Sequence, residues 1–253
     1  MPVESIDREI DKLLGLGRDR DSEMFKVANE VFDRTTVESL SYLIRRRKLT
    51  ELRGVLSTGK EANVFLGMGP NGEKLAVKIY RTYTTEFRRI WEHLAADPRI
   101  GYLPKDVRKL VMVWTRREFK NLQRAIKYAV RVPEPVAFRN NVLVMEFIGG
   151  EGPAPRLKDV ELERKELEET YGYLIRTIER LWRRGDMVHG DLSEYNVLIH
   201  GGPVVIDWSQ ATVRRNRRSL ELLRRDVFNV TSYFRRKGLD VEDPLVVYEN
   251  LVG

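Results

Sequence analysis

The sequence of 253 residues contains no cysteine and no run of eighteen consecutive apolar residues. The absence of cysteine excludes disulfides, thiolate nucleophiles and cysteine-ligated metal sites. Without a long apolar run a transmembrane helix is not expected, and the N-terminal MPVESIDREI does not have the composition of a signal peptide. These absences predict a soluble, cytoplasmic protein with no membrane partner.

Positive charge is in modest excess, with a formal net charge of +7, but it is clustered. One cluster runs from Arg45 to Lys48. A second contains six arginines, namely Arg214, Arg215, Arg217, Arg218, Arg224 and Arg225. Two interpretations stay open at this point, because such clusters are found on solvated helix faces and also on surfaces that bind RNA phosphates.

The segment from 188 to 208, VHGDLSEYNVLIHGGPVVIDW, carries polar residues at the spacing that phosphoryl transfer needs. Two apolar runs flank a Gly/Pro turn in it, which predicts a hairpin. The hairpin would return Asp207 to the loop that carries Asp191 and Asn196. Asp191 is then the predicted catalytic base. Asp207, also predicted to be catalytic, and Asn196 are the predicted Mg²⁺ ligands, because Mg²⁺ prefers oxygen ligands.

The same segment matches the catalytic-loop pattern of protein kinases, H-R-D-L-x-x-x-N, from His189 to Asn196. Gly190 replaces the Arg of that pattern, and Ile206-Asp207-Trp208 replaces D-F-G. His189 is expected to pack and hydrogen-bond beneath the loop rather than to act as a base. The alternative, that these are ordinary turn residues, does not account for the whole pattern.

A glycine-containing loop upstream is predicted to contact ATP phosphates. Residues 54–61 nearly match the Walker A loop G-x₄-G-K-[ST], but Glu61 occupies the position of the required hydroxyl. A strand-like segment follows where Walker A would open a helix. A loop between two strands is the kinase arrangement, in which Ser57 and Lys60 would contact phosphate oxygens. A plain hairpin turn is the alternative.

Lys78, in the segment LAVK, resembles the nucleotide-binding lysine of the kinase pattern V-A-I-K. A buried lysine requires an opposite charge nearby. Glu118 is the expected partner, and Glu61 and Glu86 are the alternatives.

The predicted strand 141–147 runs into a Gly-rich segment and is expected to contact adenine. By position, the carbonyl of Glu146 and the amide of Ile148 would bind the base, with Met145 packing behind it. The alternative is that these three residues belong only to the core.

Hydrophobic periodicity supplies the remaining elements. Residues 4–15 and 22–32 are predicted to be short helices, and a capping box at Thr35 and Glu38 is predicted to open a helix that ends near Arg47. The predicted strands are 52–57, 62–68, 74–80, 134–139 and 141–147, and the later helices are 111–130, 158–184, 217–237 and 243–251.

This order of elements predicts an α+β protein with a two-lobed, protein-kinase-like fold. A helical extension (1–50) would precede a small N-terminal lobe with a five-stranded antiparallel sheet (51–148). Residues 81–110 lack clear periodicity and are predicted to be an irregular, mobile insertion in that lobe. A reduced helical C-terminal lobe (149–253) would follow.

Together these motifs resemble the atypical RIO kinases, and specifically the Rio-one branch, over about residues 30–240. The resemblance is carried by STGKEANVF (57–65), LVMEFI (143–148), HGDLSEYN (189–196), IDWSQ (206–210) and SLELLRRDVFNVTSYFRRKG (219–238). It implies a serine/threonine protein kinase or ATPase that uses ATP and Mg²⁺, or alternatively Mn²⁺. It also implies that Asp207 transiently accepts phosphate. The implied role is maturation of the small ribosomal subunit, whose rRNA and proteins would be the partners; the oligomeric state stays open, with a monomer favoured.

Two other functions remain open on sequence alone. Small-molecule phosphotransferases of the aminoglycoside or choline kind also use H-G-D-x₄-N and I-D-W. A non-catalytic RNA-binding scaffold with a kinase fold is the third hypothesis. STGKEA and the C-terminal motif favour the RIO family, and magnesium-dependent ATP turnover would separate the catalytic hypotheses from the scaffold.

Overall fold

The structure is a computed structural model, and it describes residues 32–83 and 87–253. Within these residues the chain forms six α-helices and nine β-strands. The helices are α1 (Arg34–Arg45), α2 (Phe87–Ala95), α3 (Val107–Lys127), α4 (Arg164–Arg183), α5 (Ser219–Arg236) and α6 (Pro244–Val252). The strands are β1 (Glu51–Thr58), β2 (Ala62–Met68), β3 (Lys74–Tyr80), β4 (Pro135–Arg139), β5 (Val142–Glu146), β6 (Met187–Val188), β7 (Val197–Ile199), β8 (Pro203–Val205) and β9 (Thr212–Val213). Apart from residue 32, the helices predicted at 4–15 and 22–32 lie outside the described residues.

The chain divides into two compact units. Unit 1 contains the described residues up to Glu92 together with Tyr102–Phe119 and Glu134–Phe147. Unit 2 contains His93–Gly101, Lys120–Pro133 and Ile148–Gly253. Two segments that the sequence analysis placed in the N-terminal lobe, 93–101 and 120–133, therefore group with unit 2.

Unit 1 contains the predicted five-stranded antiparallel sheet, with the strand order β1-β2-β3-β5-β4. Alternate residues of β2 are buried, as expected for a strand with one face on the core. The central strand β3 is buried along almost its whole length, which agrees with the mainly apolar residues from Leu75 to Tyr80. One face of the sheet packs against α1 through Leu40, Phe65 and Val77.

The N-terminus of α1 corrects the predicted capping box at Thr35 and Glu38. The helix begins earlier, and Asp33 is its N-cap, with a side chain that accepts a hydrogen bond from the Thr36 amide at 2.8 Å. The Asp33 carboxylate also accepts a hydrogen bond from the Thr82 hydroxyl at 2.7 Å. Asp33 thus caps the helix and fixes it to a distant segment, and a local sequence pattern does not reveal that second contact.

The segment 81–110 is not irregular throughout, contrary to the prediction. Helix α2 lies within it, and α3 begins at Val107, earlier than predicted. Ile90 and Leu94, one helical turn apart, are both buried and anchor α2. The helix has only nine residues and several charged ones, so its apolar periodicity rests on few positions.

We expect the residues around α2 to open first in the nucleotide-free protein. Tyr83 and Tyr102 expose 71% and 80% of their surface, whereas the Gly-rich segment 149–153 is closed by a hydrogen bond from the Ala154 amide to the Ile148 carbonyl, 2.9 Å long. Brief digestion with proteinase K, followed by mass spectrometry, should therefore cut first within 81–106. First cleavage within 149–153 would contradict the predicted mobile insertion.

Unit 2 is built mainly from α4, α5 and α6, which pack against one another. Tyr171 of α4 and Phe234 of α5 bring their ring centroids to 5.4 Å, and the buried faces of these helices include Leu174 and Leu222. The candidate catalytic residues lie in the segments that connect the strands of two short antiparallel pairs, β6–β9 and β7–β8. Among the described helices, none combines the length and apolar character that a membrane span requires.

Candidate active site

The predicted hairpin of unit 2 is confirmed. Strands β7 and β8 pair in antiparallel fashion with Val197 opposite Val205. Beyond the pair, the Ile206 amide donates a hydrogen bond to the Asn196 carbonyl at 2.9 Å. The chain therefore enters the hairpin at Asn196 and leaves it at Asp207, so that these two residues are neighbours across the hairpin base.

The short loop before the hairpin joins Asp191 to Asn196 directly. The side-chain amide of Asn196 donates a hydrogen bond to the Asp191 carbonyl at 2.8 Å, and its Nδ2 lies 3.3 Å from Asp191 Oδ2. The backbone amide of Asn196 donates a hydrogen bond to the Ser193 carbonyl at 3.0 Å, which closes the loop as a turn. Because Nδ2 is directed at Asp191, the Asn196 side-chain oxygen points away from Asp191.

Asp207 has a left-handed backbone conformation, with a φ of 59°. For a residue other than glycine this conformation costs about 1–3 kcal/mol and persists only where the surroundings enforce it. Trp208 supplies the constraint: its side chain is fully buried, and its indole Nε1 donates a hydrogen bond to the Val205 carbonyl at 3.0 Å. The tryptophan that replaces the phenylalanine of D-F-G thus fixes the backbone beside Asp207.

His189 packs beneath the catalytic loop, as the sequence analysis predicted. Its ring is buried and lies edge-on to the Trp208 ring, with the centroids 4.7 Å apart. Nε2 lies 3.1 Å from the Ile206 carbonyl, and Nδ1 lies 3.3 Å from the Asp191 amide. A carbonyl at Nε2 and a backbone amide at Nδ1 fit the tautomer in which Nε2 donates and Nδ1 accepts.

The oxygen atoms of Asn196 and Asp207 suit a hard cation such as Mg²⁺. Mg²⁺ usually keeps several water ligands and takes one or two carboxylates from the protein. In the described part of the chain no group of three or more His, Cys, Asp or Glu side chains could hold a metal ion. One carboxylate and one amide oxygen at a hairpin base is therefore a set that fits Mg²⁺ better than it fits a metal that prefers nitrogen or sulfur.

Asp226 of α5 is a site residue that the sequence analysis missed. It is almost fully buried, and its carboxylate accepts hydrogen bonds from the amides of Gly190 and Leu192, at 2.7 and 2.9 Å. Burial raises the pKa of Asp226 to about 7, although the two amides act in the opposite direction. A lone aspartate on the apolar face of a predicted helix was the available signal, because such a group needs a partner.

The six clustered arginines do not all lie on a free surface. Arg214 lies 4.6 Å from the Trp182 ring centroid, and Arg218 forms an ion pair with Glu221 at 3.0 Å. Arg225 contacts the catalytic loop itself, with Nη2 3.4 Å from Asp191 Oδ1. The cluster seen in the sequence therefore separates into residues with different structural roles.

Unit 1 contains the predicted ion pair between Lys78 and Glu118. The Lys78 Nζ lies 2.9 Å from Glu118 Oε1, and the two side chains are only 10% and 1% exposed. The Tyr80 hydroxyl donates a second hydrogen bond to Glu118. Glu61 is instead paired with Arg89 at 3.5 Å, and Glu86 lies outside the described residues. Breaking a buried pair of this kind costs about 3–5 kcal/mol.

The sheet register places three predicted ATP-binding residues on one face. Lys78 is paired with Val64 of β2, and Val64 with Ser57 of β1. Across β5, Ala76 is paired with Met145. Directly paired residues share a face, and so do residues two apart in a strand. Ser57, Lys78 and Met145 therefore lie on the face opposite to the core residues Phe65 and Val77.

The loop between β1 and β2 is shaped by Asn63, which the sequence analysis did not assign a role. Its buried side chain accepts a hydrogen bond from the Gly59 amide at 3.2 Å. Lys60 is exposed at the tip of this loop. Strand β2 follows the loop directly, so the Walker A alternative, which requires a helix there, is excluded.

The predicted adenine contacts are spread over both units. Met145 and Glu146 end β5 in unit 1, and the Glu146 amide donates to the Glu134 carbonyl at 2.8 Å. Ile148 belongs to unit 2, where its carbonyl accepts a hydrogen bond from the Ala154 amide at 2.9 Å. Neither of these bonds uses the Glu146 carbonyl or the Ile148 amide, the two groups predicted to contact adenine.

The sequence and the fold both resemble known proteins. The family model described as the RIO domain matches residues 63–245. A RIO-type serine/threonine-protein kinase Rio1 of Haloferax volcanii is 41% identical over 92% of this chain and 80% of the relative. The Rio1 of Methanocaldococcus jannaschii is 37% identical over 93% of this chain and 80% of the relative.

Relatives from other organisms extend the comparison. The human serine/threonine-protein kinase RIO1 is 35% identical over 97% of this chain, which spans 47% of that relative. Among solved structures, the Rio2 kinase–ADP/Mg²⁺–phosphoaspartate complex of Chaetomium thermophilum has a TM-score of 0.69 at 21% identity, over 86% of this chain and 65% of the Rio2 chain. This likeness establishes the kinase-like two-lobe fold.

Proposed function

The chain belongs to the RIO family, in its Rio1 branch, and from this we propose that it is an ATP- and Mg²⁺-dependent serine/threonine protein kinase or ATPase. The observation that carries the proposal is the hairpin that joins Asp191, Asn196 and Asp207 in unit 2. The buried Lys78–Glu118 pair of unit 1 supports it, because a lysine held in this way is suited to binding phosphate oxygens.

In the proposed reaction Asp191 removes the proton from a serine or threonine hydroxyl, or from water. The oxygen so activated forms a bond to the γ-phosphorus of ATP. The bond between that phosphorus and the β–γ bridging oxygen breaks, and ADP leaves. His189, beneath the loop, supports the Asp191 backbone through the hydrogen bond at Nδ1 and takes no proton in this scheme.

The remaining site residues bind and orient the nucleotide. Lys78, held by Glu118, would neutralise phosphate charge, and the loop carrying Ser57 and Lys60 would donate to phosphate oxygens. Asn196 and Asp207 would hold Mg²⁺, which, when bound, neutralises the charge that develops on the phosphates. Mn²⁺ in place of Mg²⁺ is part of the proposal, because both cations accept oxygen ligands.

Asp207 is also the proposed acceptor of a transient phosphate. The resemblance to the RIO family suggests this role, and the Rio2 neighbour is named as a phosphoaspartate complex. In the absence of a protein hydroxyl, a carboxylate oxygen of Asp207 would attack the γ-phosphorus and ADP would leave. Water, giving its proton to Asp191, would then form a bond to that phosphorus while the bond to Asp207 breaks. This step releases inorganic phosphate and gives net ATP hydrolysis.

Incubation with γ-labelled ATP and Mg²⁺ tests the function directly. We expect label on the protein and in inorganic phosphate, and a parallel incubation with Mn²⁺ shows whether that ion substitutes. Efficient transfer to a small alcohol would instead support a small-molecule phosphotransferase. No turnover with either ion would support the non-catalytic scaffold.

We also propose that the partner is the pre-ribosomal small subunit, contacted through exposed basic residues. Arg45–Lys48, Arg215 and Arg217 are exposed. Each arginine that meets an RNA phosphate releases counterions, so the affinity falls as salt rises. Cytoplasmic location and a monomeric state belong to the same proposal.

Replacement of Arg215 and Arg217 by glutamine is expected to weaken binding to purified small-subunit precursors. The slope of log affinity against log salt concentration should also fall by about one for each phosphate contact that is lost. ATP hydrolysis by the free protein should stay unchanged. A matched control replaces Arg164 and Lys165 by glutamine, which removes the same charge. Both residues are exposed and form ion pairs with acidic residues of α4. An affinity that does not change with salt concentration and is equal in all variants would identify Arg215 and Arg217 as ordinary solvated side chains.

A further inference from the structure

Arg225, on α5, reaches the catalytic loop from a distant part of the chain. Its Nη2 donates a hydrogen bond to the Gly190 carbonyl and lies 3.4 Å from Asp191 Oδ1. The same nitrogen lies 3.4 Å from Oε1 of Gln210. We infer that Arg225 is a positioning residue for phosphoryl transfer, which holds the Asp191 carboxylate in the orientation that accepts the proton of the acceptor hydroxyl. This inference rests on the proposed function of Asp191.

An arginine at residue 190, where the common kinase pattern places one, would strain the loop. Gly190 has a φ of +81°, which is unfavourable for any residue with a side chain. A Cβ atom added to it would lie 3.3 Å from the Gln210 carbonyl oxygen and 3.5 Å from Leu222 Cδ1. A side chain at this position would therefore be strained and tight against the Gln210 carbonyl, and the guanidinium beside Asp191 comes from a residue 35 positions away in sequence.

The Asp191 carboxylate is contacted at both oxygens by donors from different elements. Arg225 lies beside Oδ1, and the side-chain amide of Asn196 lies 3.3 Å from Oδ2. Contacts at both oxygens restrict rotation of the carboxylate about its Cβ–Cγ bond. Orientation matters for the rate, since a misplacement of about 1 Å between reacting groups lowers it by about 10²-fold.

Stability does not explain the contact. The side chains of Arg225 and Asp191 are 41% and 39% exposed, and ion pairs with this degree of exposure contribute little to the stability of a fold. The adjacent residue, Asp226, already anchors the loop backbone through the amides of Gly190 and Leu192. The loss of Arg225 should therefore disturb the orientation of Asp191 more than the fold of the loop.

Replacement of Arg225 by methionine is expected to lower kcat for ATP turnover by about 10–100-fold, in proportion to the misplacement of the base. The dissociation constant for ADP and the thermal unfolding midpoint should stay at the wild-type values. Arg225→Lys, which keeps the charge, should recover most of the lost rate. Arg224→Met is the matched control, because Arg224 lies over the Phe228 ring, 5.0 Å from its centroid, and should keep the wild-type rate.

A double-mutant cycle separates positioning from a general structural role. If Arg225 acts through Asp191, Arg225→Met should change the residual rate of the Asp191→Asn protein by less than about twofold, because contacting residues are non-additive. The inference is overturned if Arg225→Met lowers the rate by the same factor in both backgrounds, or if Arg225→Met alone keeps the wild-type rate. A joint loss of rate, ADP affinity and thermal stability would also overturn it. If Asp191→Asn itself keeps the wild-type rate, the proposed role of Asp191 fails and this inference fails with it.

Discussion

Replacement of Asp191 by asparagine is expected to lower phosphoryl transfer by about 10²–10⁴-fold, the usual contribution of a general base. The amide keeps the size of the side chain and can still meet Asn196, but it cannot accept a proton. Binding of ATP should be nearly unchanged, because Lys78 and Glu118, which are proposed to hold the phosphates, lie in unit 1.

Release of labelled inorganic phosphate from γ-labelled ATP, in which water must lose a proton, measures the rate. Calorimetric titration with ADP measures binding. Asp240→Asn, the same chemical change at an exposed position of unit 2, is the control. A rate for the Asp191 variant within a few-fold of the wild type would show that another group accepts the proton.

Replacement of Asp207 by alanine is expected to abolish the phosphorylated enzyme and to remove the effect of Mg²⁺ on nucleotide affinity. Asp207 directly follows the hairpin and lies across its base from Asn196. Its carboxylate is therefore the best-placed charged ligand for the metal ion. Removal of a residue that only hydrogen-bonds to a metal ligand lowers metal affinity by roughly 10–100-fold. Because Asp207 is a proposed ligand itself, its removal should lower the affinity for Mg²⁺ by at least as much.

The measurement compares ADP affinity in Mg²⁺ and in EDTA, together with hydroxylamine-sensitive label on the protein. Alanine also adds strain, since residue 207 has a φ of 59°. Asp207→Asn is therefore needed beside it, because asparagine tolerates this conformation and removes only the charge. Enzyme-linked label that survives in both variants would place the phosphate on a different residue.

The sheet of unit 1 could be predicted from the sequence because its strands carry their signal locally. The bounds of β2 and β3 agree with the prediction, since alternation and a Gly-containing turn define them. The hairpin after Asn196 was predictable for the same reason. The Lys78–Glu118 pair followed from a different argument, that a buried charge needs a partner, and the structure selects Glu118 over Glu61.

Contacts that link distant parts of the chain could not be predicted in this way. Asp226 binds amides 34 and 36 residues away, and Arg225 in the sequence has the appearance of one more surface arginine. Helix α2 was missed because nine residues give too few apolar positions. The cap of α1 was misplaced because Asp33 and Thr35 are both suitable N-cap residue types, and the spacing of Thr35 and Glu38 fits a capping box. The roles in ATP binding, Mg²⁺ binding and catalysis stay predictions for every residue of the site, namely Ser57, Lys60, Lys78, Glu118, Met145, Glu146, Ile148, Asp191, Asn196 and Asp207.

The anchoring of the catalytic loop by Asp226 has a consequence for how the protein is made. The loop leaves the ribosome before α5 does, and its two amides have no acceptor until Asp226 arrives. A nascent or truncated chain that ends before α5 carries every residue of the HGD motif and yet lacks the group that shapes the loop. We therefore expect a chain truncated before α5 to transfer no phosphate, although it contains the whole motif.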